Sequence, residues 1–311
     1  MNEILAAVFS VAFFSSILRV TTPILFATLG SVVAERAGTP NIALEAIMLF
    51  AALFGALGSG LSGSLALGFL FAMFGGMIVT SMLIIFALRL KANIILTGIA
   101  LNLLAIGGTV FIMYTAIGER GSTASIVTLV FPRVNVPAIS NIPVLGGFLS
   151  DHNVLTYVAF LMVIVIYILL FKMRLGMRIR AVGENPGAAL SVGINVFKTQ
   201  VYALLVSGAL ASMGGAFMSM GFMSGFSQNM VAGRGFIALA AAAMGQLHPV
   251  WAMAAALVFG TADALSIVMA TMRLPDELVR MIPYLTTIVG LVIFSAMNTR
   301  LKQLRKIKST G

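Results

Sequence analysis

The 311-residue chain has 60% hydrophobic and only 9% charged residues, with a net charge of +10. A soluble domain of this length carries roughly a quarter charged residues, so the composition excludes a water-soluble protein and indicates a polytopic, all-helical transmembrane bundle. Cysteine is absent and the two histidines, His152 and His248, lie far apart in the chain, so we expect no disulfide, metal site or cofactor. The positive charge is typical of basic residues flanking membrane spans beside anionic lipid, and we expect no nucleic-acid partner.

A membrane-spanning helix needs about 20 mostly apolar residues. The clear candidates are residues 42–57, 64–88, 93–115, 154–171, 201–220, 250–270 and 282–299. Residues 4–34 contain one span or two short ones, because Arg19 and Pro23 interrupt the apolar run. Residues 229–245 form a small-residue helix that is short for a lone span, so the chain has eight to ten spans.

Lysine and arginine predict the orientation of these spans. Basic residues follow residue 88 and fill the loop 172–200 and the tail 300–311, which we expect to face the cytoplasm. The proline-containing loop 116–153 then lies outside as an irregular connection. Residues 1–311 are therefore predicted to form a single transmembrane domain with a cytoplasmic C-terminus.

The loop 172–200 contains a predicted short helix. Asn185 supplies an N-cap acceptor, Pro186 fits the first helical position, and Gly193 can end the helix in a left-handed conformation. A helix of about two turns is unstable by itself and must be held by packing. It either lies on the membrane surface or is presented to a cytoplasmic partner.

A second polar region follows Thr39-Pro40, which either breaks the chain or starts a helix. Asn41 and Glu45 are spaced i, i+4, which places them on one helical face. Ionisable groups at membrane depth normally face a cavity or a partner. This face either contacts a transported substrate, or Glu45 pairs with Arg36 and only orients the helix.

Five further residues are candidates for the substrate pathway. Asp263 lies within a strongly apolar span and either lines a pore or makes an interhelical hydrogen bond. Asn93 and Asn102 either bind a ribose or base edge or bond across helices. Arg234 lies between glycines in the AGRGF stretch, where it is a gate residue or an interfacial anchor, and Phe236 ends that stretch.

Three stretches together resemble the permease subunits of bacterial ABC importers, in the branch that includes ribose and nucleoside systems. They are LGSVVAERAGTPNIALEAIML (29–49), MRLGMRIRAVGENPGAALSVGINVFK (173–198) and AGRGFIALAAAAMGQLHPVWA (232–252). The patterns ERxGxxNIxLE and AGRGFIALA are most similar to nucleoside-type permeases. Ala34 and Ala46 depart from the residues that many of those members carry, which leaves the substrate less defined than the mechanism.

The resemblance implies that residues 183–194 are a coupling helix that docks on an ATP-binding subunit. Matched by position, the contact residues are Gly183, Glu184, Asn185, Pro186, Ala188, Ala189 and Gly193. The chain has no Gly-x-x-x-x-Gly-Lys-Ser/Thr motif, so ATP hydrolysis is expected in a partner. The resemblance further implies a second permease subunit, identical or homologous, and an external substrate-binding protein.

Import of nucleosides is the leading prediction, followed by riboflavin or a simple sugar. An ion-coupled secondary transporter is the first alternative, although only Glu45 and Asp263 are candidates for ion coupling and no clear inverted repeat is present. An intramembrane enzyme is less consistent with the sequence, since the chain has no His-Glu-x-x-His motif and neither histidine lies within a span.

Overall fold

The computed structural model describes residues 11–134 and 151–270, together with 285–286, 288–290 and 292. Within these residues the chain is almost entirely helical. The helices are α1 (Val11–Arg36), α2 (Leu44–Ser62), α3 (Leu65–Leu83), α4 (Ile94–Ile117), α5 (Val154–Lys172), α6 (Arg174–Glu184), α7 (Pro186–Ser191), α8 (Val196–Phe217), α9 (Arg234–Met244) and α10 (Pro249–Ala270). Single π-helical segments, Ile84–Arg89 and Met218–Phe222, extend α3 and α8.

The predicted membrane bundle is confirmed. Seven helices in the described part of the chain are long and apolar enough to cross a bilayer. Residues 11–36 form one helix that runs through Arg19 and Pro23, so the described part of 4–34 contains one span and not two. In 229–245 only Arg234–Met244 is helical, about 16 Å long against a hydrocarbon core of about 30 Å. The predicted span 282–299 lies mostly outside the described residues.

Helix α1 lies at the centre of the bundle. In its most apolar 18-residue window 94% of the residues are buried, compared with 28% in α4. Some of its hydroxyl groups bond to the helix itself, as where Thr28 Oγ1 donates to the carbonyl of Ile24 at 2.8 Å. A polytopic membrane protein exposes apolar side chains on its outer helices, and α4 does so with Leu103 and Phe111.

Small residues allow α8 to pack closely against α1, α2 and α3. A Cβ atom at Gly215 would overlap the carbonyl oxygen of Met48 on α2, and one at Gly30 of α1 would lie 2.7 Å from the carbonyl oxygen of Ser207. Such contacts are the usual means of helix association in lipid, where the hydrophobic effect does not drive helices together. They hold α8 in close backbone contact with α1 and α2.

The connection between α4 and α5 lies at the end of the bundle opposite α6. Its two short strands, β1 (Arg133–Val134) and β2 (His152–Asn153), pair antiparallel, and residues 135–150 lie outside the described part. Residues 121–123 hold the segment after α8, since the Thr123 N–H donates to the Phe226 carbonyl at 2.9 Å and the Thr123 hydroxyl accepts from the Phe226 N–H at 2.9 Å. This contact turns residues 223–233 back toward the start of α9.

Candidate functional site

Two interrupted segments meet inside the bundle. The chain leaves α1 at Arg36 and begins α2 at Leu44, so of the two alternatives at Thr39-Pro40 the break in the chain is confirmed and the helix start is wrong. A second non-helical stretch, 223–233, precedes α9. Each segment delivers the N-terminus of a helix, where backbone N–H groups have no partner within the helix.

Glu45 joins these two segments. Its Oε1 accepts the N–H of Gly233 at 2.8 Å and its Oε2 accepts the N–H of Gly235 at 2.8 Å. The side chain of Glu45 therefore caps the first turn of α9 from the neighbouring helix, at the positive end of the α9 dipole. Arg36 instead donates to the carbonyls of Leu247 and Gln246, so the alternative that pairs Arg36 with Glu45 is wrong.

Both glycines at this junction are required by geometry. Gly233 has a φ of +81°, in the left-handed region that glycine adopts readily. At Gly235 a Cβ atom would lie 2.5 Å from the backbone nitrogen of Glu45 and 2.8 Å from its Cα. The AGRG stretch (232–235) therefore contacts Leu44-Glu45 directly, although Glu45 and Gly233 are 188 residues apart in the chain.

Arg234 and Asp263 form an ion pair beside this junction. The Nη2 and Nε atoms of Arg234 both donate to Oδ2 of Asp263, at 2.8 and 3.1 Å. The two side chains are 12% and 13% exposed. An ionised side chain at bilayer depth costs about 2.5–3.5 kcal/mol on insertion scales, and the pairing of opposite charges reduces this penalty.

A cavity of about 680 Å³ opens between α2, α4, α9 and α10. Five of the seven predicted pathway residues line it: Glu45, Asn102, Arg234, Phe236 and Asp263. The volume lies in the range typical of small-molecule sites, with a largely apolar wall and a few polar groups. Asn229 and Ser266 also line the cavity and were not predicted, although they lie close in sequence to Arg234 and Asp263.

Asn102 has a structural partner on α2. Its Oδ1 accepts the N–H of Ala46 at 3.0 Å, and its Nδ2 donates to the carbonyl of Ile42 at 2.9 Å. The side chain is 7% exposed, so these bonds occupy most of its polar surface. Asn102 thus holds the first turn of α2 against α4 at the edge of the cavity.

The remaining two pathway candidates, Asn41 and Asn93, lie outside this cavity. Asn41 is fully buried and donates to Ser207 Oγ at 2.9 Å. It precedes Leu44, the first residue of α2, so the predicted common helical face with Glu45 does not form. Asn93 is exposed and caps α4 by accepting the N–H groups of Ile95 and Leu96 at 2.9 and 3.2 Å.

The helix predicted in the loop 172–200 is confirmed as α7. Asn185 Oδ1 accepts the N–H of Ala188 at 3.0 Å, Pro186 occupies the first turn, and Gly193 has a φ of +81°. Of the seven predicted contact residues, the exposed ones are Glu184, Asn185, Pro186, Ala188 and Gly193. Ala189 is buried.

Gly183, the one remaining predicted contact residue, lies against α1. It is half-buried at the end of α6, where a Cβ atom would overlap the carbonyl oxygen of Arg36. Two large apolar side chains on or beside α7 are exposed, Leu190 by 65% and Val192 by 76%. Helix α7 is therefore held to the bundle through the end of α6, while the side chains on its outer face are exposed.

Comparisons with known proteins agree with this architecture. Residues 13–291 match the profile of the family described as branched-chain amino acid transport system / permease component. The chain is 34% identical to the nucleoside ABC transporter permease protein NupC of Lactococcus lactis, covering 90% of this chain and 91% of the relative. It is also 34% identical to the guanosine ABC transporter permease protein NupQ of Bacillus subtilis, covering 88% of each.

A solved structure, PsaBC from Streptococcus pneumoniae in complex with Fab, has a similar fold. The TM-score is 0.52 at 16% identity, and the match covers 93% of this chain and 94% of that one. At this level of identity the likeness establishes a shared fold and carries no information on the transported molecule.

Proposed function

The chain belongs to the family of permease components of branched-chain amino acid transport systems, and we propose that it is the permease subunit of an ABC importer that takes up nucleosides. It forms a single transmembrane domain over residues 1–311 and half of the translocation pore. Two relatives named above are permeases for nucleosides and for guanosine, which supports this substrate class.

The cavity between α2, α4, α9 and α10 is the observation that carries the proposal. A nucleoside combines a flat aromatic base with a hydroxylated sugar. Phe236, which is 47% exposed at the cavity wall, offers a ring on which a base can stack. The Arg234–Asp263 pair offers charged hydrogen-bonding groups to the sugar hydroxyls in the same cavity.

Uptake of radiolabelled nucleosides by the reconstituted transporter tests this assignment. Loss of a stacking ring costs about 1–3 kcal/mol per base, so Phe236→Ala should raise the KM for uptake roughly 5- to 150-fold. Phe111→Ala, at a ring that is 67% exposed on α4, is the matched control and should leave the KM unchanged. Uptake of riboflavin or a simple sugar in place of nucleosides would refute the substrate class.

Helix α7 is proposed to couple the pore to ATP hydrolysis in a partner. The exposed outer face of α7 suits docking in a groove of an ATP-binding subunit. The close contact between the end of α6 and α1 transfers movement to the bundle. We expect Asn185→Trp to disrupt co-purification with the ATP-binding subunit or to uncouple ATP hydrolysis from transport. Asn93→Trp, which alters an equivalent exposed cap on α4, is the control, and retained coupling in Asn185→Trp would refute the docking role.

The full transporter is proposed to contain two permease subunits, two ATP-binding subunits and an external substrate-binding protein, in the bacterial inner membrane. The absence of native cysteine makes the orientation directly testable. In intact cells an impermeant maleimide should label Ser224→Cys, beside the outer loop. It should label Ser191→Cys on α7 and Ser309→Cys in the C-terminal tail only after permeabilisation. The opposite pattern would refute the orientation.

A further inference from the structure

The turn that ends α9 has an unusual backbone. Gln246 and Leu247 are consecutive non-glycine residues with φ values of +51° and +55°. Side chains other than glycine rarely adopt this left-handed region, so the turn needs support from its surroundings. Arg36 supplies that support, since its Nε donates to the Leu247 carbonyl at 2.8 Å and its Nη2 to the Gln246 carbonyl at 3.2 Å.

The interaction uses two properties of arginine. Its planar guanidinium group presents two N–H donors in a fixed fork, which matches two neighbouring carbonyl groups. Its positive charge lies at the C-terminal, negative end of the α9 dipole. Arg36 therefore completes the C-terminal cap of α9 from α1.

The backbone of Arg36 contacts the end of α6, while its side chain contacts the turn after α9. A Cβ atom at Gly183 would overlap the Arg36 carbonyl oxygen and would lie 3.2 Å from the nitrogen of Gly38. No side chain separates these backbones, and Asn185, the cap of α7, follows two residues after Gly183. A displacement of α6 and α7 is thus transmitted to residues 36–38 by direct contact.

The opposite end of α9 lies at the cavity. Gly233 and Gly235 are bound by Glu45, and Arg234 between them is paired with Asp263. A helix of 11 residues spans about 16 Å, so α9 connects the turn at 246–247 to the cavity. Both ends of α9 are therefore held by side chains from other helices, Arg36 at the turn and Glu45 at the cavity.

We propose that Arg36 is a positioning residue that links the movement of α6 and α7 to α9 and so to the cavity. The inference rests on the proposed docking of α7 on an ATP-binding subunit. It adds the route by which a movement of α7 on docking is transmitted to Arg234. Arg36 contacts no substrate in this role.

Hydrogen–deuterium exchange on the assembled complex tests the route without reference to the substrate. In the wild type, trapping the complex with ADP and vanadate, which together mimic the transition state of ATP hydrolysis, should change exchange both at residues 186–192 and at residues 233–237. Arg36→Lys keeps the positive charge but loses the fixed pair of N–H donors. The change in exchange at residues 186–192 should therefore persist. The change in exchange at residues 233–237 should fall roughly tenfold, as expected for the loss of one charged hydrogen bond. Arg178→Lys, at an exposed arginine of α6, should behave as the wild type.

A second variant separates coupling from simple stabilisation. Glycine adopts the left-handed conformation without help, so Gln246→Gly should stabilise the turn in the Arg36→Lys background but leave the response at 233–237 reduced, because the link through the guanidinium group is still missing. A restored response would show that Arg36 only stabilises the turn and would overturn the inference. An unchanged response at 233–237 in Arg36→Lys would overturn the inference, as would a lower yield of complex with normal exchange per complex. If the wild type exchanges as expected but does not import nucleosides, the substrate assignment fails and the route stands.

Discussion

Glu45→Gln distinguishes a helix cap from a substrate ligand. The carboxylate accepts one backbone N–H on each oxygen, from Gly233 and Gly235. Glutamine has almost the same shape but only one acceptor, so one of the two N–H groups faces an amide that cannot accept it. A hydrogen bond to a charged group contributes about 1.5–3 kcal/mol, which corresponds to a factor of roughly 10 to 150 in an equilibrium constant.

The appropriate assay is hydrogen–deuterium exchange at residues 233–237 in the purified protein without substrate. If Glu45 caps α9, protection of these amides should fall by about that factor in Glu45→Gln. Glu35→Gln is the control, since the Glu35 carboxylate accepts from Ser31 Oγ at 2.7 Å within α1. It should leave residues 233–237 unaffected.

The two explanations of a transport defect then separate. Reduced protection together with reduced transport supports a capping role in which the order of α9 is needed for function. Wild-type protection together with reduced transport would refute the capping argument and assign Glu45 to substrate contact. Wild-type protection and wild-type transport would remove Glu45 from both roles.

Three further predictions concern the same region. Gly235→Ala should destabilise the protein by about 1–3 kcal/mol through backbone overlap, whereas Gly107→Ala, where a Cβ meets open space, should be neutral or stabilising in thermal unfolding in detergent. Asp263→Asn should destabilise by up to about 3–5 kcal/mol because it leaves Arg234 unpaired, and neutralising Arg234 as well should recover stability in a double-mutant cycle. Asn185→Ala should cost about 1 kcal/mol of α7 stability, seen as faster exchange at residues 186–191. Additive losses at Arg234 and Asp263, or unchanged exchange in α7, would contradict the last two.

Residues in the three stretches that carry the family resemblance contact one another in space. Glu45 satisfies the backbone of Gly233 and Gly235, and Gly183 makes room for the backbone of Arg36. The most specific parts of the sequence thus describe junctions between segments. A substitution at one member of a junction should be read together with its partner.

Local chemistry determined much of the architecture in advance. Apolar length predicts the spans because lipid leaves the backbone no partner except its own helix. The observed helices Val154–Lys172 and Pro249–Ala270 differ from the predicted spans by one residue at an end. The break at Thr39-Pro40 and the cap at Asn185 follow from neighbours along the chain, so they too were accessible to sequence reasoning.

Only the tertiary structure decided what the polar residues do. Asn41, Asn93, Asn102 and Glu45 were all candidates for the substrate pathway, because any buried amide or carboxylate needs a partner and the sequence does not say which one. In the structure Asn41 bonds to Ser207, Asn93 caps its own helix, and Glu45 accepts hydrogen bonds from two glycines at the start of α9. Such hydrogen bonds depend on which segments meet in space, whereas the composition of the chain determines that they meet within a membrane.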